Sequence, residues 1–404
     1  MSEAFAQNHA PTSHKPPRSN NFLKLHLLAN QWPALHGLRV LGIVCVLQWH
    51  VTSGMVEEGM MANGMPSRFS TNLFFGMDLF FVLSGFLIGT MILHALDATK
   101  RQSLGRFYLR RSFRIFPLYY VVLTYLALYH ATPAARSGVI WEYLYLTNYR
   151  PLEPRQLVVM NYGWSLCVEE HFYILAPLLV GALNVFRTHR ARLLILGLLW
   201  LTPLVLRLIL IWHREWLDGA RYVSIAYVRT HFRFDTLVAG VIAAYVNFHF
   251  KDRIKQLMSA KGRVYRAALY LSVGCLLALL ATTPLSSGVD LLAAFAIGTV
   301  TSLMFLPLLL LLLHADTPFG RFLSRRGFLP IATLGYGIYL VHIPVLDVFL
   351  LPACRRAIAV GVPLAVVWVV CLALLVAISA GIAYALHILV EKPALYLRDK
   401  VAPA

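Results

Sequence analysis

Ten apolar stretches, each long enough to cross a lipid bilayer, restrict this chain to a narrow class of folds. A helical crossing takes about 20 mostly apolar residues. Such stretches lie near residues 35–55, 73–94, 115–131, 164–186, 193–212, 234–250, 265–283, 288–314, 331–351 and 360–388. Only 13% of the 404 residues are charged, against roughly 25% in soluble domains. The sequence therefore predicts an all-α, polytopic membrane helix bundle of about ten transmembrane helices.

Basic residues outnumber acidic ones two to one, with 36 Lys and Arg against 18 Asp and Glu. Such an excess can indicate nucleic-acid binding, but in so apolar a chain it is typical of loops held on the cytoplasmic face. Placing the N-terminus in the cytoplasm assigns most Lys and Arg residues to inner loops. We therefore expect both termini to be cytoplasmic and no nucleic acid to be a partner.

The chain divides into one apolar domain and two polar ends. Residues 1–34 are polar and lack an apolar run followed by a cleavage site, so we expect a disordered cytoplasmic tail. A transmembrane domain is expected over residues 35–390 and a short cytoplasmic tail over residues 391–404. No soluble catalytic domain is expected. The five scattered cysteines are interpreted as small buried residues, and no metal site is predicted.

The first apolar stretch, LHGLRVLGIVCVLQWH over residues 35–50, holds Arg39 and His50. In a helix these residues lie on one face, about 16 Å apart along the axis. A guanidinium near the cytoplasmic end suits a phosphate. A neutral imidazole near the bilayer middle suits proton abstraction. The alternative is that Arg39 reaches lipid headgroups and His50 bonds to a neighbouring helix.

An arginine cluster lies at the cytoplasmic mouth of the third stretch, in FYLRRSFRIFPLYY over residues 107–120. Its members are Arg110, Arg111 and Arg114, and the spacing of Arg110 and Arg114 places them on one helix face. The cluster predicts a cradle for a polyphosphate donor such as coenzyme A. The alternative is ordinary positive-inside anchoring.

Two adjacent acids and a histidine enter the fourth stretch from the outside, in NYGWSLCVEEHFYILAPLL over residues 161–179. Glu169, Glu170 and His171 are functional candidates, because charge inside a span is costly. The two acids point in different directions in a helix, so we expect one to meet a cation or histidine and the other an acceptor. The alternative is a packing ion pair with an outer arginine such as Arg233.

Two more ionisable residues lie within apolar stretches. Asp78 is the acid of the second stretch, where the small Ser84 and Gly85 allow a neighbouring helix to approach closely. His342, in LGYGIYLVHIPVL over residues 334–346, is interpreted as a satisfied core histidine. The sequence contains no P-loop, HExxH or GxSxG motif, so ATP hydrolysis, zinc proteolysis and α/β-hydrolase chemistry have no support.

Seven blocks, taken in order, resemble the acyltransferase-3 family of integral membrane O-acyltransferases. They are LHGLRVLGIVCVLQWH, GMDLFFVLSGFLI, FYLRRSFRIFPLYY, GWSLCVEEHFYILAP, RFDTLVAGVIAAY, LGYGIYLVHIPV and VEKP, within residues 33–396. The resemblance implies about ten helices without a fused hydrolase-like domain. It also implies transfer of an acyl group, commonly acetyl from acetyl-CoA, across the membrane to a hydroxyl of an exported glycan or similar acceptor.

The resemblance also implies site residues. Arg39 and His50 match the essential Arg and His of the family's first helix. Arg110, Arg111 and Arg114 match its basic donor-binding motif, and Glu169 with Glu170 matches its Trp-Ser-Leu-x-Val-Glu-Glu block. Candidates for acceptor binding or structural support are Asp78, Trp164, His171, Tyr173, Arg233 and His342. Three positions depart from the family pattern: His36 replaces an Asp, Cys167 a Ser and His171 a Gln.

These residues support one mechanistic hypothesis. Cytosolic acetyl-CoA, a substrate rather than a permanently bound cofactor, docks at the arginines and extends its thioester to His50. His50 acts as general base or transient acyl carrier, and Glu169 or Glu170 orients His50 or the acceptor. The expected setting is the cytoplasmic (inner) membrane of a bacterium, with the lipid bilayer and a carbohydrate or lipid-linked glycan as partners.

Two other classes of protein fit parts of the sequence. A proton-coupled multi-span transporter or exporter of a polar or glycan substrate could also use buried His, Glu and Asp as a proton relay. Such a carrier has no need of an arginine cluster facing the cytosol. A non-catalytic scaffold would account for the apolar packing but not for Arg39 and His50 on one helix face.

Overall fold

The protein is a bundle of apolar helices, as seen in a computed structural model. The structure describes residues 25, 27–28, 31–62, 72–96, 104–150, 158–213, 223–259, 262–281 and 296–403. All regular secondary structure in these ranges is helical, which confirms the all-α prediction. Most of the predicted N-terminal tail, residues 1–24, 26, 29 and 30, lies outside the described residues.

The main helices follow the predicted apolar stretches, except the last, which lies within the predicted C-terminal tail. They are α1 (Pro33–Glu57), α2 (Gly76–Leu96), α3 (Leu104–Tyr129), α4 (Trp164–Ala182), α5 (His189–Trp212), α6 (Asp235–His249), α7 (Arg263–Ala281), α8 (Thr301–His314), α9 (Phe328–Val345), α10 (Leu364–Leu386) and α11 (Lys392–Val401). Shorter helices cover Pro133–Ser137, Ile140–Tyr143, Lys251–Ser259, Pro318–Leu323 and Leu351–Ala359.

Eight helical segments of the described ranges are long and apolar enough to cross a membrane. Two further apolar segments, Phe234–His249 and Gly298–His314, are shorter. The predicted span over residues 288–314 begins outside the described residues, which resume at residue 296. The total of ten crossings and the cytoplasmic position of both termini therefore stay predictions.

Helices α2 and α6 pack with their backbones in direct contact. A Cβ atom added at Gly85 would overlap the carbonyl oxygen of Leu237, and one added at Gly240 would overlap the carbonyl oxygen of Val82. Gly89 in turn faces Val241, so the two helices run parallel. Such an approach is open only to small residues, and the prediction that Gly85 permits it is confirmed.

Helix α1 lies in the centre of the bundle, between α2 and α9. Its first turn meets the short helix before α9, where a Cβ at Gly37 would overlap the backbone of Leu323. Further along, Ile43 packs on Gly335 of α9. The two helices therefore run side by side in the same direction. This packing buries most of α1, although Leu41 and Val44 stay exposed, and brings its polar side chains against other helices.

Two fully buried ion pairs lie around the first turns of α2 and α6. Arg233, just before α6, lies 2.8 Å from Asp78 of α2, and both side chains have no exposed surface. Arg207 of α5 lies 2.8 Å from Asp235 at the start of α6, again with no exposure on either side. Arg207 also donates to the carbonyl of Phe232 at 2.5 Å. The pairs thus tie α2 and α5 to the start of α6.

The partner of Arg233 corrects one interpretation of the sequence. The alternative reading of Glu169 and Glu170 paired them with an outer arginine such as Arg233. In the structure Arg233 pairs with Asp78, and the guanidinium also lies over the ring of Tyr227, 4.6 Å from its centroid. The reason is local: Asp78 lies in the first turn of α2, beside the segment that precedes α6.

Alanine at Gly85 or Gly240 is expected to lower the melting temperature of the purified protein. The added methyl meets a backbone carbonyl of the opposite helix, which cannot rotate away as a side chain can, and overpacking of this kind costs about 1–3 kcal/mol. Gly274→Ala in α7 is the matched control, because a Cβ there meets no atom within 4 Å. Equal melting temperatures for Gly85→Ala and Gly274→Ala would contradict the packing.

Asp78→Asn is expected to destabilise the protein by about 3–5 kcal/mol, because it leaves the buried guanidinium of Arg233 without its counter-charge. The double variant Asp78→Asn, Arg233→Met should recover part of this loss, which thermal unfolding in detergent can measure. Asp316→Asn, which breaks the exposed pair of Asp316 with Arg321, is the control and should leave the melting temperature unchanged. A double variant no more stable than Asp78→Asn would argue against a paired charge.

Candidate active site

A cavity lies beside the second half of α1. It holds about 390 Å³ of space not filled by atoms, a volume that includes the part open to solvent. The lining residues are mostly aromatic and come from α1, α2, α4, α9 and the segments before α2, α4 and α6: Val46, Trp49, His50, Phe74, Met77, Tyr162, Trp164, Tyr227 and Tyr339. We call this space the His50 cavity. Helix geometry places His50 about 26 Å from the first residue of α1, between the middle of the helix and its Glu57 end.

His50 contacts a second histidine across the helix interface. Its Nδ1 lies 2.9 Å from the carbonyl of Val46 in its own helix and 3.3 Å from Nε2 of His342. Nδ1 of His342 lies 2.6 Å from the carbonyl of Tyr339, and His342 is fully buried. A carbonyl only accepts, so we assign a proton to Nδ1 of each ring. That assignment gives the lone pair of His50 to Nε2, the nitrogen suited to act as base or nucleophile.

Tyrosines fix His342 in place. The Tyr162 hydroxyl donates to the carbonyl of Leu340 at 2.6 Å, and the Tyr339 hydroxyl donates to the carbonyl of Tyr162 at 2.7 Å. Ser165 lies 2.5 Å from the Tyr339 hydroxyl. These bonds join the start of α4 to α9 beside the His342 ring. His342 is thus a satisfied core histidine, as interpreted from the sequence, and it also touches His50.

The far wall of the cavity rests on the buried ion pair. Arg233 lies over the ring of Tyr227 and within 6.0 Å of the centroid of the Trp164 ring. The rings of Trp164 and Tyr227 are 5.0 Å apart, and both line the cavity. Cation–π contact with a buried guanidinium restrains such rings. Arg233, Asp78 and Trp164, three of the predicted support residues, therefore form one unit behind the cavity.

A second set of predicted residues lies together at the other end of α1. The guanidinium of Arg111 stacks on Tyr173, 3.0 Å from the ring centroid. The charges of Arg114 and Glu169 act on half-buried Arg39, and Arg114 itself is exposed. We call Arg39, Arg110, Arg111 and Arg114 the arginine end of the bundle.

The acidic pair of α4 belongs to this arginine end. The Ser84 hydroxyl donates to Glu169 at 2.6 Å, and the charge of Arg111 acts on both Glu169 and the buried Glu170. Within the described residues neither acid lines the His50 cavity. The charge of Arg111, at the mouth of the third stretch, thus acts on the acidic pair, and the role of orienting His50 stays a prediction.

Arg110 and Arg114 share one helix face, as their spacing predicts, and in the structure this face meets the C-terminal segment. Arg110 lies 3.4 Å from Asp399 of α11, and the charge of Glu391 acts on Arg114. Glu391 in turn lies 2.7 Å from His387. The last residues of the chain therefore pack on the arginine cluster.

His171 lies outside the His50 cavity, in a small polar cluster. Its Nδ1 is 2.7 Å from the hydroxyl of Thr230, which also accepts from Asn148 at 2.9 Å. Next to them Tyr149 bonds His231 at 2.9 Å. Burial and the charge of Arg229 lower the pKa of His231. His171 is therefore not among the residues that line the cavity, and its expected role in acceptor binding stays a prediction.

Several residues of the site were not predicted. Tyr339 could have been found, because it precedes His342 by three positions and so shares its helix face. Tyr227 and Tyr162 lie in segments before α6 and α4, where apolar periodicity carries no signal. Within the described ranges no three His, Cys, Asp or Glu side chains are grouped so as to hold a metal ion.

Comparison with known proteins gives the family of the chain. The O-acetyltransferase OatA of Staphylococcus aureus is 25% identical over 338 residues, which cover 78% of this chain and 50% of the relative. The peptidoglycan O-acetyltransferase OatA of Listeria monocytogenes is 24% identical over 335 residues, covering 78% and 49%. The chain thus spans about half the length of these relatives. No solved structure matches it. Residues 32–383 match the family described as Acyltransferase domain, and the chain belongs to that family.

Proposed function

We propose that this membrane O-acetyltransferase takes an acetyl group from acetyl-CoA at the arginine end and delivers it to a hydroxyl in the His50 cavity. The observation that carries the proposal is the arrangement of α1. Arg39 lies within the arginine end and His50 lines the cavity, about 16 Å apart along one helix face. One helix thus connects a set of guanidinium groups to an imidazole, which is the arrangement that a long phosphorylated thioester requires.

The chemistry of the arginine end favours a phosphorylated donor. Guanidinium groups bind phosphate through paired N–H donors. Arg111 stacks on Tyr173 and its charge acts on Glu169 and Glu170, so we assign the phosphates to Arg39, Arg110 and Arg114. We take the donor to lie in the cytoplasm, where positive-inside loops would place these residues. The charged nucleotide then stays at the surface, and only the acyl-bearing arm enters the bundle.

His50 supplies the reactive nitrogen. In a direct route, Nε2 takes the proton of the acceptor hydroxyl as its oxygen attacks the thioester carbonyl, and the carbon–sulfur bond breaks to release the thiolate of coenzyme A. In a covalent route, Nε2 attacks the carbonyl first and forms an acyl-imidazole with release of the thiolate, and the hydroxyl then takes the acyl group. Both routes need the lone pair on Nε2, which the bond of Nδ1 to Val46 sets.

His342 acts as a positioning residue for His50 in this proposal. It lies 3.3 Å from Nδ1 of His50, and the carbonyl of Tyr339 holds its own ring. As Nδ1 of His50 gains positive character, the lone pair of His342 Nε2 faces it at hydrogen-bond distance. Glu169 and Glu170 assist from the arginine end, where they balance the charge of Arg111.

The aromatic lining of the cavity favours a sugar acceptor. Rings such as those of Trp164 and Tyr227 offer flat apolar faces with polar edges, which match a sugar that exposes both C–H groups and hydroxyls. The Listeria relative is named a peptidoglycan O-acetyltransferase, and we propose a cell-envelope glycan or lipid-linked glycan as the acceptor class here. The setting that we propose is the cytoplasmic membrane of a bacterium.

The alternative of a proton-coupled transporter is not favoured. The family match over residues 32–383 assigns the chain to acyltransferases. The buried charges also have partners of their own, since Asp78 pairs with Arg233 and Asp235 with Arg207. A proton relay needs groups that take up and release protons in turn, whereas each of these buried acids is already paired with an arginine.

His50→Ala is expected to lower acetyl transfer by about 10²- to 10⁴-fold, the range of a lost acid–base group. His342→Gln should give a loss at or below the lower end of that range, because the amide still offers a hydrogen-bond partner to Nδ1. His213→Ala, at an exposed histidine just beyond α5, is the control and should keep wild-type activity. Acetylated glycan is measured by mass spectrometry, and wild-type transfer by His50→Ala would overturn the assignment.

Acetyl-CoA, but not acetate, is expected to raise the melting temperature of the detergent-solubilised protein, because only the former carries phosphates for the arginine end. Arg114→Gln should raise the acetyl-CoA concentration needed for a half-maximal shift about ten-fold, through loss of a charge-assisted contact. Arg321→Gln, at an exposed arginine paired with Asp316, should leave the shift unchanged. The absence of any shift with acetyl-CoA would contradict the donor assignment.

A further inference from the structure

The C-terminal helix α11 lies directly against the arginine cluster. It packs on α3, and Arg110 of α3 donates to the carbonyl of Ala402 at 2.5 Å. Arg110 also lies 3.4 Å from the carboxylate of Asp399. The end of the chain thus contributes a negatively charged group to the place where the proposed donor would bring its phosphates.

Asp399 is shared between two guanidinium groups at an open edge of the protein. Arg398 contacts its carboxylate through Nη2 at 2.8 Å and through Nε at 2.9 Å. The Asp399 side chain is 48% exposed, whereas those of Arg110 and Arg398 are 27% and 13% exposed. An acid held by two guanidinium groups occupies the position that a phosphate oxygen takes at such sites.

Positive charge exceeds negative charge around this acid. The charges of Arg106 and Arg398 act on Arg110, whose carboxylate partner is Asp399. Arg111 and Arg398 act on Arg114, on which the carboxylate of Glu391 also acts. His387 holds that second carboxylate at 2.7 Å. Of the two acids, Asp399 is therefore the exposed one and the one able to leave when another anion arrives.

We propose that Asp399 is a built-in counter-ion that competes with a phosphate group for Arg110 and Arg398, and that α11 is thereby part of the donor site. The proposal rests on the proposed function, since it takes the phosphate to be that of coenzyme A. On binding, the phosphate replaces the carboxylate at the two guanidinium groups, and Asp399 turns to solvent. Donor affinity is thus set below the value that the arginines alone would give, which favours release of coenzyme A after transfer.

The test compares anion binding by purified full-length variants in a neutral detergent. Asp399→Asn should bind coenzyme A about two- to five-fold more tightly than wild type, the scale of one partly exposed ion pair. Arg398→Gln should weaken binding by a similar factor, and both effects should shrink as salt is raised. Asp316→Asn is the matched control, since it removes an acid from an exposed Arg–Asp pair elsewhere. Pyrophosphate is the second probe and should follow the same order.

The outcomes separate this inference from the proposed function. Unchanged or weaker binding of both probes by Asp399→Asn overturns the inference, even where wild type binds coenzyme A. If Asp399→Asn binds pyrophosphate more tightly but no protein tested binds coenzyme A, the counter-ion role of Asp399 is supported. The same result overturns coenzyme A as the donor. Native mass spectrometry of nanodiscs containing phosphatidylglycerol covers the other source of phosphate. If Asp399→Asn binds phosphatidylglycerol more tightly than wild type but does not bind coenzyme A more tightly, Arg110 and Arg398 are assigned to a lipid headgroup. That result overturns the donor site.

Discussion

The pairing of charge inside an apolar bundle is the constraint on which the rest of the structure depends. A charge removed from water is costly unless an opposite charge lies against it. The pairs Arg233–Asp78 and Arg207–Asp235, with no exposed surface, meet this requirement and fix α2, α5 and α6 around the start of α6. The aromatic wall of the His50 cavity rests on the first of these pairs.

The two regions that we propose as functional hold ionisable groups outside these buried ion pairs. At the arginine end, guanidinium groups outnumber the carboxylates that act on Arg110 and Arg114. Toward the other end of α1, an imidazole faces a second imidazole in an aromatic cavity. The bundle separates these two regions along one central helix, and the proposed transfer depends on that separation, because it keeps a charged carrier at one surface while its acyl group reaches the other region.

The sequence predicted the helical architecture and the residue types of the site, but not which of these residues contact each other. Apolar runs predicted the helices because span length depends on local composition, and small residues predicted the close approach at Gly85. The contact of His50 with His342 joins residues 292 positions apart. Such contacts depend on how helices are arranged in space, which periodicity does not encode. For the same reason the alternative interpretation of the sequence paired Glu169 and Glu170 with Arg233, whereas in the fold the charge of Arg111 acts on them.

Transfer across a sealed membrane tests the central claim most directly. The protein is reconstituted into proteoliposomes that enclose a glycan acceptor, and acetyl-CoA labelled in its acetyl group is added outside only. The account predicts labelled acetyl on the enclosed acceptor while coenzyme A is recovered outside, and no label inside with His50→Ala. Label found only on acceptor supplied outside, on the same side as the donor, would contradict it.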